Sequence, residues 1–293
     1  IWISLIKDLG IKKYTKLIQR FGSKKDLWKA SKKEIMQVQG ISEKMADLIS
    51  NKEIKKDVIR HLKYMQKNNI DILTIEDKNY PELLRQISSP PINIYVKGNK
   101  EILNKASIGI VGCRVASDYG KNVAQNFAYN LAKNNINIVS GLARGIDSFS
   151  HIGAIKAKGI TVGVIGNGLD MIYPKENIYL AQEILNSNGA IISECPLGTK
   201  PEKANFPKRN RIISGMCNGI LVVEAKAKSG TIITIDFALE QGRDVFAIPG
   251  NINSENSYGT NEIIKQGAKL VTNWSEIVEE YGIYHWFYEN NIV

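Results

Sequence analysis

The chain has 293 residues, of which 43% are hydrophobic and 23% are charged, a composition typical of globular domains and not of disordered or fibrous proteins. No apolar run approaches the length of a membrane span and no signal-peptide pattern opens the sequence, so we expect neither a membrane protein nor a secreted one. The formal net charge of +10 is unevenly placed, since residues 1–70 hold 17 basic and 7 acidic residues and the remainder is balanced.

The cysteines and histidines argue against a disulfide framework and against a metal site. The three cysteines are scattered and odd in number, which is typical of a protein in the reducing cytoplasm. The three histidines show no metal-ligand spacing. Gly166 and Gly168 lack the third glycine of a dinucleotide fingerprint, and the chain has no Walker A sequence. We therefore expect no metal and no cofactor.

Residues 1–70 carry the pattern of a small all-helical domain of SAM-like or helix-hairpin-helix-like type. Apolar residues recur at helical spacing, and Gly10 and Gly22 indicate turns between short helices. The segment from Val38 to Ile49 resembles a helix-hairpin-helix, whose backbone amides hold a DNA phosphate, although Ser42 replaces its second glycine. A packing module without DNA contacts, and a basic surface that only aids solubility, are the alternatives.

Residues 71–104 are expected to connect this module to a larger domain. Tyr80 and Pro81 begin a short helix, and Pro90 and Pro91 end it before an apolar run from Ile92 to Val96. That run predicts an extra strand on the sheet of the domain that follows.

Residues 105–282 alternate between short apolar runs and helical segments, and residues 283–293 form a tail. This alternation predicts an α/β fold of extended Rossmann-like type, a mostly parallel sheet with helices on both faces. The expected strands are Ile108–Val111, Ile136–Ser140, Thr161–Ile165, Ala190–Ser193, Ile220–Val223, Val245–Ile248 and Lys269–Val271. The expected helices are Gly120–Asn134, Asp147–Lys158, Asn177–Asn186 and Thr231–Gln241. Ligands of such sheets bind at the carboxyl ends of the strands, near a switch in strand order.

The turns after several of these strands carry glycine, small hydroxyls or basic side chains. Glycine allows close approach of the backbone, helix N-termini offer amides to anions, and basic side chains add charge. The residues concerned are Gly112, Arg114, Ser117, Ser140, Gly141, Arg144, Lys175, Ser229 and Gly230. Together they predict a long anion-binding rim, which suits a strand of nucleic acid better than a mononucleotide.

The segment Phe206–Gly215, with the sequence FPKRNRIISG, is expected to form a basic loop between two strands. Its candidate contacts are Phe206, Lys208, Arg209, Asn210 and Arg211. Cations beside an aromatic ring and an amide suit a phosphate backbone with a base stacked on the ring. A solvated basic loop is the alternative.

Four acidic or histidine side chains near the strand ends are candidates for chemistry or for support. Asp147 and His151 are four residues apart on one helix face, so they can form a hydrogen bond, either as a general base with its orienter or as a structural pair. Glu194 and Glu224 follow strands, and we expect them to hold arginines in place rather than to catalyse hydrolysis.

Four motifs in this order, GCRVASDYG, SGLARGID with His151, FPKRNRIISG and SGTIITIDFALEQGRDVFAIPGN, resemble the DNA-processing protein A family, also called DprA or Smf. The resemblance covers nearly the whole chain, but the winged-helix module that ends many members is not expected here. It implies a non-catalytic protein that binds single-stranded DNA with little sequence preference and delivers the RecA recombinase during natural transformation. It assigns DNA contacts to Arg114, Lys175 and the FPxRNR positions, and a homodimer surface to the C-terminal part of the sheet domain, near Asn261–Val271.

An enzyme is the main alternative. The same fold superfamily includes nucleotide phosphoribohydrolases of the Lonely Guy type, with a signature resembling PGGxGTxxE. The chain matches it at Ser229, Gly230 and Thr231, but Thr234 stands where the acid is needed. A sensor that binds a mononucleotide on the same loops is a further alternative.

Overall fold

The computed structural model describes residues 1–6, 8–227 and 229–281, so the expected tail, 283–293, lies outside the described residues. A 3-10 turn at Trp2–Leu5 opens the chain, and five helices follow it: α1 (Ile11–Phe21), α2 (Lys24–Lys29), α3 (Lys32–Met36), α4 (Glu43–Ser50) and α5 (Lys52–Lys67). Gly22 ends α1 with a φ of +77°, a conformation that favours glycine. Ser31 and Glu34 form a capping box on α3.

The predicted helix-hairpin-helix segment, Val38–Ile49, contains the turn that follows α3 and most of α4. Ser42 is the N-cap of α4, and its side chain accepts a hydrogen bond from the backbone N of Met45 at 3.3 Å. Leu17, Leu27 and Ile35 are fully buried in the module's own hydrophobic cluster. The module therefore packs around an apolar core of its own.

The connector contributes two strands to the sheet, whereas the sequence predicts only one. The elements are β1 (Ile70–Thr74), the short helix α6 (Glu82–Arg85) and β2 (Asn93–Gly98). Strand β1 pairs with β2 in antiparallel orientation, with Ile70 opposite Lys97. The helix after Tyr80-Pro81 and the strand after Pro91 are where the sequence places them.

The larger domain continues the sheet with seven further strands and seven helices in the described part of the chain. The strands are β3 (Ser107–Val111), β4 (Asn137–Ser140), β5 (Thr161–Ile165), β6 (Ala190–Ser193), β7 (Gly219–Val222), β8 (Asp244–Ala247) and β9 (Lys269–Leu270). The helices are α7 (Asp118–Lys133), α8 (Ile146–Lys156), α9 (Ile178–Asn186), α10 (Asn205–Gly215), α11 (Gly230–Glu240), α12 (Glu255–Lys265) and α13 (Ser275–Glu280). A second 3-10 turn, Lys175–Asn177, precedes α9.

The strand order is β1-β2-β6-β5-β4-β3-β7-β8-β9. Strands β3 to β9 pair in parallel with one another, and β2 joins β6 in antiparallel orientation. The predicted mostly parallel, extended Rossmann-like sheet is confirmed. From β3 the chain builds outward through β4 and β5, and from β7 it builds the other way, so the order switches between β3 and β7.

Both faces of the sheet are covered by helices, because successive strand residues point to opposite sides. In β4, for example, Ile138 packs in the cluster that contains α7, α8 and α13, whereas Val139 packs in the cluster that contains α10 and α11. Both side chains are fully buried. No helix in the described residues is long and apolar enough to cross a membrane.

Candidate nucleic-acid interface

The segment FPKRNRIISG forms the helix α10, so its prediction as a loop is wrong. The helix tolerates Pro207 because this residue lies in the first turn, where backbone amides have no intrahelical partner. At 3.6 residues per turn, Phe206 and Asn210 lie on one side of α10, and Lys208 and Arg211 lie on the other. The sequence places all these side chains on one rim; the structure divides them between two cavities.

The first cavity, of about 790 Å³, lies at the carboxyl ends of β3 and β7 and is called the switch-point cleft. The residues of interest that line it are Gly112, Arg114, Tyr173, Lys203, Phe206, Asn210, Lys226, Ser229 and Gly230. The second cavity, of about 700 Å³, is called the module cleft because Ile3, Ile6 and Leu9 of the helical module form one of its walls. Lys208 and Arg211 line the module cleft.

An aromatic platform lies at the edge of the switch-point cleft. It consists of the ring of Phe206, the ring of Tyr173 and the guanidinium of Arg114. The two ring centroids are 5.8 Å apart and tilted by 32°, and Cζ of Arg114 lies 5.5 Å from the Phe206 centroid. Arg114 is exposed, and no carboxylate in the described residues lies within ion-pair distance of it. The platform thus combines a π surface with an unneutralised cation.

Arg209 lies beneath the platform with only 6% of its surface exposed. Its Nη1 donates a hydrogen bond to the carbonyl oxygen of Val164 at 3.0 Å. Burial lowers the pKa of Arg209 to about 10, so the side chain stays charged at neutral pH. Burial also raises the pKa of Asp147, and the positive charge of Arg209 offsets part of that rise. The sequence groups Arg209 with the phosphate contacts. In the structure its hydrogen bond to Val164 instead links α10, the helix that carries Phe206, to strand β5.

Gly141 makes room for that buried arginine. A Cβ atom at this position would overlap Nη1 of Arg209 and lie 2.5 Å from Oδ2 of Asp147. The glycine after β4 is therefore needed for the packing of a charged side chain, in addition to any approach of a ligand.

Asp147 and His151 do not form the hydrogen bond that their spacing predicts. The backbone N of Ala143 donates to Asp147, whereas Nδ1 of His151 lies 2.6 Å from Oγ1 of Thr161. That hydroxyl donates to the carbonyl oxygen of Ile138, so it accepts from Nδ1–H of His151. Burial lowers the pKa of His151 to about 3, which leaves a neutral, solvent-excluded ring. The pair is not a base with its orienter.

Arg211 is held by an acidic partner and by the connector. Its Nη2 donates to both carboxylate oxygens of Glu194, at 2.6 and 2.5 Å, and its Nη1 donates to the carbonyl oxygen of Ser89 at 2.5 Å. Its side chain is only 14% exposed. The prediction that Glu194 holds an arginine is confirmed. Arg211 joins three distant segments, and its charge is largely neutralised.

The two predicted serines at the first strand ends are engaged within the protein. Ser117 caps α7 by accepting from the backbone N of Gly120 at 3.0 Å, and its hydroxyl donates to Glu224 at 2.5 Å. Ser140 is fully buried and donates to the carbonyl oxygen of Ile110. Glu224 therefore holds a serine, not the arginine that the sequence predicts, because it lies under the start of α7 with 2% exposure.

The remaining predicted residues flank the platform. Gly112 and the Ser229-Gly230 start of α11 line the switch-point cleft, where Asn210 donates from Nδ2 to the carbonyl oxygen of Gly230 at 3.3 Å. Lys175 is exposed beside Tyr173, and Arg144 forms an ion pair with Glu176. Three of the lining residues named above, Tyr173, Lys203 and Lys226, are absent from the sequence-based set. The Tyr-Pro pair before Lys175 is the signal that points to Tyr173.

The family model described as DNA recombination-mediator protein A matches residues 71–282. The chain belongs to this family. It is 44% identical over 222 residues to the DNA processing protein DprA of Bacillus subtilis, a match that covers 75% of this chain and 74% of that protein. The fold of DprA from Streptococcus pneumoniae matches with a TM-score of 0.83 at 35% identity, over 95% of this chain and 96% of that structure. DprA from Helicobacter pylori, whose structure is described for its single-stranded DNA binding mode, matches with a TM-score of 0.66 at 29% identity, over 72% of this chain and 95% of that one.

Proposed function

We propose that this member of the family binds single-stranded DNA without sequence preference, at the platform and the switch-point cleft. The observation that carries the proposal is the placement of Arg114 over the ring of Phe206, beside the exposed ring of Tyr173 and near the buried Arg209. Unpaired bases stack on aromatic rings whatever their identity, and cations beside them neutralise phosphates. The DNA-binding relative from Helicobacter pylori supports the same ligand.

The cations in and beside the switch-point cleft differ in whether a carboxylate already pairs with them. Arg114, Lys175 and Lys203 are exposed, and the described residues place no carboxylate within ion-pair distance of them. Lys226, by contrast, is paired with Glu255 at 2.8 Å. We therefore assign the phosphate contacts to the first three, and each contact contributes roughly 0.7 to the log–log salt dependence of binding.

A salt titration of oligothymidine binding tests the proposal directly. We expect affinity for oligothymidine to exceed affinity for a duplex of equal length, and to fall linearly with the logarithm of salt concentration. With three phosphate contacts the slope is about −2. Equal affinity for duplex and single strand, or binding that ignores salt, contradicts the proposal.

The protein acts by binding rather than by catalysis. The side chains that a phosphoribohydrolase or other hydrolase would use at these strand ends are committed elsewhere: Glu224 bonds Ser117, Glu194 bonds Arg211, and His151 is a neutral ring in the core. Thr234 occupies the acidic position of the Lonely Guy signature and is 2% exposed. Incubation with nucleoside monophosphates is expected to release no base; steady release would overturn this part of the proposal.

The family relationship supports a role in natural transformation, with the RecA recombinase and a second copy of the chain as partners. Strand β9 is an exposed edge of the sheet, and Leu270 in it is 45% exposed. Its neighbour Lys269 and Leu239 border a cavity of about 330 Å³. Open sheet edges with apolar side chains favour pairing between chains. The three cysteines are free thiols, consistent with work in the cytoplasm, where we place this activity.

A further inference from the structure

Apolar and aromatic surface continues past the platform along the start of α9. Tyr173 is 44% exposed, Ile178 is 49% exposed and Tyr179 is 85% exposed, so three large side chains lie open to solvent within seven residues. Single exposed apolar residues are ordinary, but a run of them beside a cationic ring pair is not. Tyr179 gives little to the core of the fold, since most of its ring is outside it.

Charge in this stretch is arranged to leave one cation free. Glu176, its one acidic residue, is an ion-pair partner of Arg144, and the pKa of Glu176 is lowered by hydrogen bonds from its own backbone and from Arg144. Lys175 is exposed, and within the described part of the chain no carboxylate approaches it within 4 Å. Lys175 and Tyr179 are four residues apart, at the start of the 3-10 turn and in the first turn of α9, and both are exposed.

On the other side of the platform, two of the described lysines are held in ion pairs. Beyond Arg114, Lys121 is paired with Asp118 at 2.9 Å and Lys226 with Glu255 at 2.8 Å. A polyanion that leaves the platform on that side passes Lys203 of the switch-point cleft and these two neutralised lysines. A polyanion that leaves past Tyr173 meets Lys175, and then an open ring.

We propose that Lys175 and Tyr179 form a second base-stacking subsite for single-stranded DNA, which extends the bound strand from the platform onto the start of α9. Four residues of helix span about 6 Å, which is on the order of two phosphate spacings of a stacked strand. The subsite therefore adds one or two nucleotides to the strand held at Phe206 and Tyr173. This inference rests on the function proposed above and names a contact that is absent from it.

The subsite is tested by the length dependence of oligothymidine binding, from about 4 to about 20 nucleotides, at fixed salt. We expect Tyr179→Ala to bind the shortest oligonucleotides as the wild type does, and to lose roughly fivefold or more in affinity for longer ones, because one stacked base is lost. Tyr179→Phe keeps the ring and is expected to retain wild-type affinity at every length. Tyr129→Ala is the matched control, because Tyr129 is an exposed tyrosine near the far end of α7, 37% exposed.

The outcomes separate this subsite from the proposed function. If Tyr179→Ala equals the wild type at every length, or Tyr129→Ala and Tyr179→Ala lose affinity alike, the subsite is refuted while the platform stands. If Arg114→Ala and Phe206→Ala also leave every affinity unchanged, the platform itself is wrong. A photo-crosslink from an oligothymidine with 5-iododeoxyuridine gives a second readout: we expect adducts on the peptide that holds Tyr179, and their absence beside adducts at Phe206 counts against the subsite.

Discussion

Replacing Arg114 and replacing Arg211 with alanine are expected to have opposite consequences. Both arginines belong to the motifs that predict DNA contacts, but Arg114 is exposed against Phe206 whereas Arg211 is held by Glu194 and by the carbonyl oxygen of Ser89. We expect Arg114→Ala to weaken DNA binding and leave folding unchanged. We expect Arg211→Ala to destabilise the fold and leave the salt dependence of binding nearly unchanged.

The structure sets the size of each effect. Loss of one charge-assisted phosphate contact lowers affinity on the order of tenfold to a hundredfold and flattens the log–log salt slope by about 0.7. Arg211→Ala leaves Glu194, which is 38% exposed, without its partner. Because solvent screens part of that loss, we expect about 1–3 kcal/mol of destabilisation, or a Tm lower by roughly 2–10 °C.

Thermal unfolding and a salt titration of oligothymidine binding, run on the same preparations, measure both effects. Lys208→Ala is the matched control, because it removes the same charge from the same face of α10 without breaking an ion pair that the described residues show. We expect its Tm to equal that of the wild type. The reasoning is refuted if Arg211→Ala flattens the salt slope as much as Arg114→Ala does while its Tm stays unchanged.

Three further predictions concern packing, pH and assembly. Gly141→Ala is expected to displace Arg209 and cost about 1–3 kcal/mol in a urea unfolding experiment, whereas Gly10→Ala, which meets no atom within 4 Å, is expected to cost far less; equal costs contradict the packing argument. His151 stays neutral to about pH 3 in the folded protein but protonates near 6.5 when unfolded, so the unfolded state binds more protons between these values. The contribution of neutral His151 to the free energy of unfolding is complete above pH 6.5 and falls by up to about 1.4 kcal/mol per pH unit below it. We expect the free energy of unfolding of His151→Gln to fall less steeply in acid, and an unchanged fall refutes the assignment. Leu270→Lys is expected to shift the protein from dimer to monomer in light scattering, and a dimer that persists contradicts the placement of the interface at β9.

The strands and most helices of the sheet domain are predictable from the sequence, because the pattern of apolar residues in each segment shows which positions are buried. Thr161–Ile165 and Ala190–Ser193 match the observed strands residue for residue, and the other predicted strand ends lie within a residue of the structure. Short continuous apolar runs that alternate with helical segments favour a parallel sheet covered on both faces. The extra edge strand β1 escapes this reasoning, because Ile70–Thr74 follows directly on the long helix α5 and is only partly buried, so its residues do not form a continuous apolar run.

The division of α10 into two faces is not accessible from residue types alone. A run of basic residues with a proline predicts a loop, and in a loop all the cations are free to meet one ligand. The partners that decide otherwise, Ser89 and Glu194, are 122 and 17 residues from Arg211 in the chain. Which arginine is exposed and which is neutralised therefore depends on tertiary contacts that no local pattern encodes.

A DNA-binding site that does not recognise base identity benefits from side chains that are already ordered before binding. Flexible side chains lose conformational entropy when the DNA binds, and the stacking energy would have to offset that loss. Buried Arg209 supplies that order: it bonds Val164 of β5 from α10, so the turn of helix that carries Phe206 is tied to the sheet. Gly141 and Asp147 lie against the same guanidinium, so two of the four motifs, SGLARGID and FPKRNRIISG, meet at one charged group. The motif residues thus divide into one set that is proposed to contact the DNA and another set that holds the first in a fixed position. A variant that loosens Arg209 should weaken DNA binding although Arg209 itself is nearly inaccessible.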